Sequence, residues 1–139
     1  MNISIEILDG PLPDPGESLP GSWPLDAGVG AWVRFDGIVR RDENGRELSG
    51  LRYETYEPMA QNVLRDLCGD ILERHGLLAI RVCHSRGLVP VGACSFRLEV
   101  SAKHRKPALT AADEFIDRMK RDVPIWKHAV WRDRIADQP

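Results

Sequence analysis

The sequence lacks the marks of a metal, nucleotide or membrane protein. Its three cysteines, Cys68, Cys83 and Cys94, are odd in number and form no C-x-x-C pair. That excludes a disulfide framework or cysteine zinc site and fits reduced thiols acting as small hydrophobes. The four histidines, His75, His84, His104 and His128, show no H-x-x-x-H or H-E-x-x-H spacing, so no metal is expected. Neither G-x-G-x-x-G nor a G-K-[ST] loop occurs, and no cofactor is expected either. No apolar run approaches the ~20 residues that span a bilayer. The start, MNISIEILDG, has no basic region followed by a hydrophobic core. It is therefore not a signal peptide, and a cytoplasmic location is expected. Aromatic residues are only 6%, the four tryptophans are scattered, and the net charge is −2. A nucleic-acid binder would show a basic excess and a stacking platform.

What is present describes an ordinary globular chain. The 139 residues are 29% charged and 42% hydrophobic, enough for one domain over 1–139 with a real core. Ile3, Ile5 and Ile7 alternate with polar residues as a first strand. Residues 10–24 hold five prolines and three glycines and read as a surface loop. Val29, Ala31, Val33 and Phe35 alternate in a second strand running toward Gly37 and Arg40. The polar stretch 41–46, with its Asn44-Gly45 step, predicts a hairpin, and Leu51, Tyr53 and Thr55 mark the returning strand. Met59, Val63, Leu64, Leu67, Ile71 and Leu72 predict a helix over about 58–74, stopped by Gly76. Leu78, Ile80 and Val82 form the next strand, 87–92 a turn, and Phe96, Leu98 and Val100 another strand. With a second helix and an extended piece at 125–131, this order alternates too little for a doubly wound sheet. The class is α+β.

Residues 101–127 concentrate the chemistry. Four basic residues, Lys103, His104, Arg105 and Lys106, precede an amphipathic helix in which Ala108, Ala112, Phe115, Ile116 and Met119 recur at helical spacing. Pro107 suits the first turn, and Pro124 disfavours helix at Val123, so the helix should end near Arg121. Cations at a helix N-terminus oppose its dipole, which points to an anionic ligand. Lys120 falls on the last turn, where it also complements the dipole on a solvated face. Lys127 follows an apolar Pro-Ile-Trp run that could desolvate its ammonium and fit it for acid–base or nucleophilic work. Arg40 beside Arg41 reads equally as a solvated hairpin end or a phosphate fork, and His104 as a helix cap or proton donor. His75 and His84 read as structural.

The run His104-Arg105-Lys106-(x)-Ala108, then Lys120, then Pro124-Ile125-Trp126-Lys127 resembles the catalytic, large subunit of molybdopterin synthase. So do Phe35-Asp36-Gly37-Ile38-Val39-Arg40 and the stretch His84-Ser85-Arg86-Gly87-Leu88 ending at Gly92. The resemblance covers roughly 29–127, in order. It implies an α/β-hammerhead fold with mixed or antiparallel sheets and two main helices. Lys120 and Lys127 would be the catalytic pair. Arg40, His104 and Arg105 would hold the substrate phosphate, and Phe35 would line the pocket. The implied reaction moves two sulfurs to cyclic pyranopterin monophosphate, forming molybdopterin for the molybdenum cofactor. The donor would be a small ubiquitin-like subunit ending in a Gly-Gly thiocarboxylate. The implied assembly is a dimer of large subunits with a small subunit at each end.

Three features depart from the family pattern. His128-Ala129 follow the second lysine where an acid is usual, and Ser85 replaces an arginine, with Arg86 one step later. The chain also ends at Pro139, before the tail that lends a neighbouring pocket a basic residue, leaving Arg132 and Arg134 for that role. These features keep open the alternative of a non-catalytic anion- or pterin-binding homologue.

Overall fold

The computed structural model describes residues 2–14 and 28–132. Most of the proline-rich loop expected over 10–24, and Arg134, lie outside them. The elements are β1 (Ile3–Asp9), β2 (Ala31–Ile38), β3 (Asp42–Glu43), β4 (Arg46–Thr55), α1 (Met59–His75), β5 (Ala79–Pro90), β6 (Cys94–Ala102), α2 (Arg105–Asp122) and β7 (Ile125–Trp131). The α+β class and two main helices follow the expectation. The seven strands form a mixed sheet in the order β2-β6-β5-β4-β3, with β7 antiparallel to β4 and β1 parallel to β5.

Strand β5 organises this sheet. Residues 80–84 lie between β1 and β6, Ile80 opposite both Ile3 and Val100. Residues 87–90 instead pair with β4, from Gly87 opposite Tyr53 to Pro90 opposite Gly50. The change of partner falls at Gly87, whose φ of +81° is the left-handed geometry that glycine enters without a Cβ penalty. The turn expected over 87–92 is therefore corrected. The strand continues through Pro90 because pairing with β4 outweighs the local Gly/Pro signal. The expected hairpin is present: Asn44 and Gly45 both have positive φ, and Glu43 pairs with Arg46.

Both helices pack on one face of the sheet. Leu64, Leu67, Cys68 and Ile71 of α1 meet Ile80, Val82, Leu98 and Val100 from the strands. Helix α2 adds Ala108, Ala111, Ala112, Phe115 and Met119. Its alanines allow close approach while Phe115, fully buried, fills the space between; enclosed aromatics of that size are worth ~3–5 kcal/mol against truncation to alanine. A second, smaller core of Val39, Leu48, Leu51 and Val89 lies beneath the β4–β7 portion. On β6, the residues alternating with the core positions are polar yet buried. Arg97 donates to Asp36 (2.7 Å) and the Pro13 carbonyl (2.9 Å), and Trp32 donates to Glu99 (3.2 Å). Such enclosed charges are tolerated because each has a hydrogen-bond partner.

Candidate active site

The C-terminal end of α2 borders a cleft of about 740 Å³. Helix α2 ends at Asp122, one residue past the expected stop, because Val123 before Pro124 adopts extended geometry (φ −86°, ψ 129°). The chain then returns as β7 alongside β4, placing Lys127 opposite Tyr53. Period-two alternation turns Ile125 and Lys127 toward the cleft, and both line it. From α2, Ile116, Met119 and Lys120 line the same space at helical spacing. The third wall is the end of β2 and the β3 hairpin. There Val39 is fixed by hydrogen bonds with Ala93 and Gly92, and Arg40 follows at the rim.

Arg40 thus converges on one cleft with Lys120 and Lys127, which lie some 80 residues further along on two consecutive elements. All three are exposed, and among the described residues none makes a hydrogen bond or ion pair. Three arginines of the described residues are committed elsewhere. Arg97 holds Asp36, Arg118 bridges Asp70 and Glu114, and Arg86 joins Asp9 and Glu57. The Arg86 guanidinium holds the Glu57 carboxyl at about 2. Arg40, Lys120 and Lys127 offer an anionic ligand three unpaired cations, while Asp36, held by Arg97, and Asp42 and Glu43 of the hairpin also line the concavity.

The fourth side is aromatic. Phe35 and Phe96 lie 6.0 Å apart between ring centroids, Phe96 and His84 5.9 Å, and His84 and Tyr53 5.1 Å in an edge-on contact. All four line the cleft, and the Tyr53 hydroxyl shares a 2.8 Å hydrogen bond with the Ser95 hydroxyl. Burial raises the Tyr53 pKa, so this hydroxyl stays protonated at neutral pH. Phe35 is one of the residues lining this cleft. Tyr53, His84, Ser95 and Phe96 were not read as site residues. The available signal was parity: Tyr53 shares its strand face with Leu51, and Phe96 lies opposite His84.

One expectation is corrected, and two site candidates are placed elsewhere. The Pro-Ile-Trp run does not desolvate Lys127, because Trp126 alternates to the opposite face and is itself 53% exposed. His104 and Arg105 do not join the lysines within this chain. They sit with Gly30, Lys103 and Lys106 around a separate, shallower depression at the other end of α2. Fifteen helical residues at 1.5 Å each separate Arg105 from Lys120 by about 22 Å. Cys68 and Cys83 are buried and Cys94 half-buried, and desolvation pushes Cys68 up to about 12 and raises Cys83 and Cys94. No group of three or more metal-ligating side chains occurs among the described residues.

Fold and cleft define an α+β protein with an aromatic-walled cleft that carries three exposed cations. The MoaE protein family profile matches residues 19–122, and the chain belongs to that family. Relatives named molybdopterin synthase catalytic subunit include one from Thermoplasma volcanium, 39% identical over 73% of this chain and 74% of its own length. The Bacillus subtilis protein is 38% identical over 76% of this chain and 67% of its own length. The human one is 39% identical over 75% of this chain. That match spans only 55% of the human protein. Among solved structures, molybdopterin synthase from Staphylococcus aureus superposes with a TM-score of 0.75 at 30% identity, covering 91% of this chain and 90% of that one. A complex of subunits 1 and 2 of molybdopterin-converting factor from Helicobacter pylori gives 0.69 at 25% identity, covering 94% and 90%.

Proposed function

We propose that this chain is the catalytic subunit of a molybdopterin synthase, a sulfur transferase acting on cyclic pyranopterin monophosphate. The observation that carries the reading is the convergence of Arg40, Lys120 and Lys127, none of them in an ion pair, on the aromatic-walled cleft. A flat pterin suits the wall, and its phosphate suits the cations. The sulfur donor is a small ubiquitin-like subunit whose Gly-Gly tail ends in a thiocarboxylate. The groove between the end of α2, β7 and the Arg40 hairpin is where such a tail would enter. Glycines permit a backbone to pass close to the walls, and the lysines meet its anionic end. Lys120 and Lys127 then stabilise the charge that develops during each transfer or pass the protons it requires.

His104 and Arg105 enter this reading through a second copy of the chain. About 22 Å along α2 is too far for them to reach the lysines of their own subunit. In a homodimer the basic depression of one subunit can face the cleft of the other and add cations for the substrate phosphate. Small subunits at the two ends would complete a heterotetramer.

Reconstitution tests the proposal. The chain, a thiocarboxylated Gly-Gly partner and the pterin precursor are expected to yield molybdopterin, and removal of the two glycines abolishes the yield. Binding of the precursor without any product, under conditions where the partner also binds, would establish the non-catalytic alternative instead.

A further inference from the structure

His84 is the most enclosed ionisable side chain lining the cleft. It is 5% exposed and held between Tyr53 and Phe96. Its Nδ1 lies 2.7 Å from the Ser85 carbonyl oxygen. A carbonyl can only accept, so Nδ1 carries the proton and donates it. Burial lowers the His84 pKa, with the Ser85 hydrogen bond opposing, so the ring is neutral at pH 7. Its other nitrogen, Nε2, is then a lone-pair acceptor. Among the described residues no donor reaches it. The wall is otherwise carbon, apart from the Tyr53 and Ser95 hydroxyls, which satisfy each other. A fixed, neutral and unpaired acceptor in an apolar wall favours ligands that bring a donor and rejects those that do not.

We infer that His84 is a substrate-recognition residue, whose Nε2 accepts a hydrogen bond from a ring or exocyclic N–H of a planar heterocycle lying along the Phe35–Phe96–His84–Tyr53 wall. The inference rests on the pterin reading of the cleft and adds what selects the ring, whereas Arg40, Lys120 and Lys127 select the anion. The backbone bond to Ser85 sets the tautomer, so His84 presents only an acceptor here. A planar ligand of the same size and charge without an N–H donor at that position would leave Nε2 unsatisfied and bind more weakly.

The test begins with the unaltered chain, labelled with ¹⁵N in histidine and titrated with cyclic pyranopterin monophosphate. The His84 Nε2 resonance is expected at a lone-pair position in the free protein and should shift on saturation, while Nδ1 stays protonated throughout. Binding without any change at Nε2 overturns the inference and leaves the synthase reading intact. No binding at all overturns both. The second arm uses His84→Asn, which retains a donor toward Ser85 but removes Nε2, and His84→Gln, which carries an amide out to the Nε2 position. His84→Asn should raise the pterin Kd about 10- to 100-fold, with affinity for the small partner unchanged. His84→Gln should recover part of the loss. Equal pterin affinity in folded His84→Asn and the unaltered chain also overturns it.

Discussion

The two ends of α2 carry similar charge in different settings. At its N-terminus, Lys103, His104, Arg105 and Lys106 are all exposed around a shallow depression beside Gly30. At its C-terminus a single lysine of the helix meets Lys127 of β7 and Arg40 beyond β2 across a walled cleft. The first cluster is made by adjacency in sequence, the second by the fold. Local concentration of charge attracts an anion; walls on several sides also fix where it lies. The chemistry is therefore expected at the end with fewer cations. The richer cluster should assist, and only from another subunit.

The two ends of α2 should differ most visibly under lysine substitution. Lys120→Ala and Lys127→Ala should each lower turnover by ~10²–10⁴-fold, the usual contribution of a positioned acid–base group. Both side chains are exposed, so thermal unfolding should move by no more than about 0.5 kcal/mol. Single-turnover kinetics beside a melting curve gives both readings. Near-normal turnover in either variant would remove that lysine from the mechanism.

Mixed dimers test whether the N-terminal cluster acts across subunits. Arg105→Ala and Lys120→Ala homodimers should each be impaired. If the N-terminal cluster of one copy serves the cleft of the other, random exchange places both defects in the same site of each mixed dimer and leaves its other site whole. Half the dimers are mixed, so activity should recover to about one quarter of the unaltered level. No recovery, with subunit exchange verified by mass spectrometry, would mean that the cluster does not act across subunits.

Gly30 tests whether the two ends are independent. A Cβ there would run into the Lys103 carbonyl oxygen, so the backbone at the head of α2 must shift. Gly30→Ala should destabilise the protein by about 1–3 kcal/mol, as overpacking does. It should weaken binding of the phosphorylated precursor at the assembled site while leaving affinity for the small partner's tail near normal. Calorimetry with each ligand separately distinguishes the two effects.

The sequence made the cleft more legible than its supports. Pro124 announced the helix stop, and strand alternation after it was enough to set Lys127 on the same side as Ile125. What misled was proximity along the chain. The run from His104 to Lys120 reads as one motif, but an 18-residue helix holds its ends apart. Strand β5 was cut short because Gly87 and Pro90 punctuate locally, and only the partner strand β4 shows why pairing continues. The polar alternates of β6, Arg97 and Glu99, are buried, which their residue types alone do not suggest. Their burial depends on Asp36, Pro13 and Trp32, partners 61 to 84 residues away that no local pattern reveals. His84 escaped for a similar reason: its place in the wall depends on Tyr53 and Phe96 from two other strands.

The smallest effect concerns what holds both ends of α2 in place. Glu114, midway along the helix, accepts from His75 and Arg74 of α1 and from Arg118 of its own helix, and Arg118 also reaches Asp70 of α1. The hydrogen bond from His75, followed by Arg118, holds the Glu114 carboxyl below the usual carboxylate range despite some opposing desolvation. A carboxyl whose folded pKa is depressed adds stability above its unfolded value of about 4.3 and loses it as pH falls through the folded one. Glu114→Gln should therefore cost stability at pH 7, and the difference from the unaltered chain should close in acid as the native carboxyl protonates. Solvent screening limits the cost to about 0.5 kcal/mol, best resolved from urea midpoints taken at pH 7 and pH 3. Because the clamp grips α2 between its two cationic ends, turnover and precursor binding at pH 7 should stay together, neither falling more than the other. A gap that persists undiminished at pH 3 would mean that Glu114 contributes by packing rather than by charge.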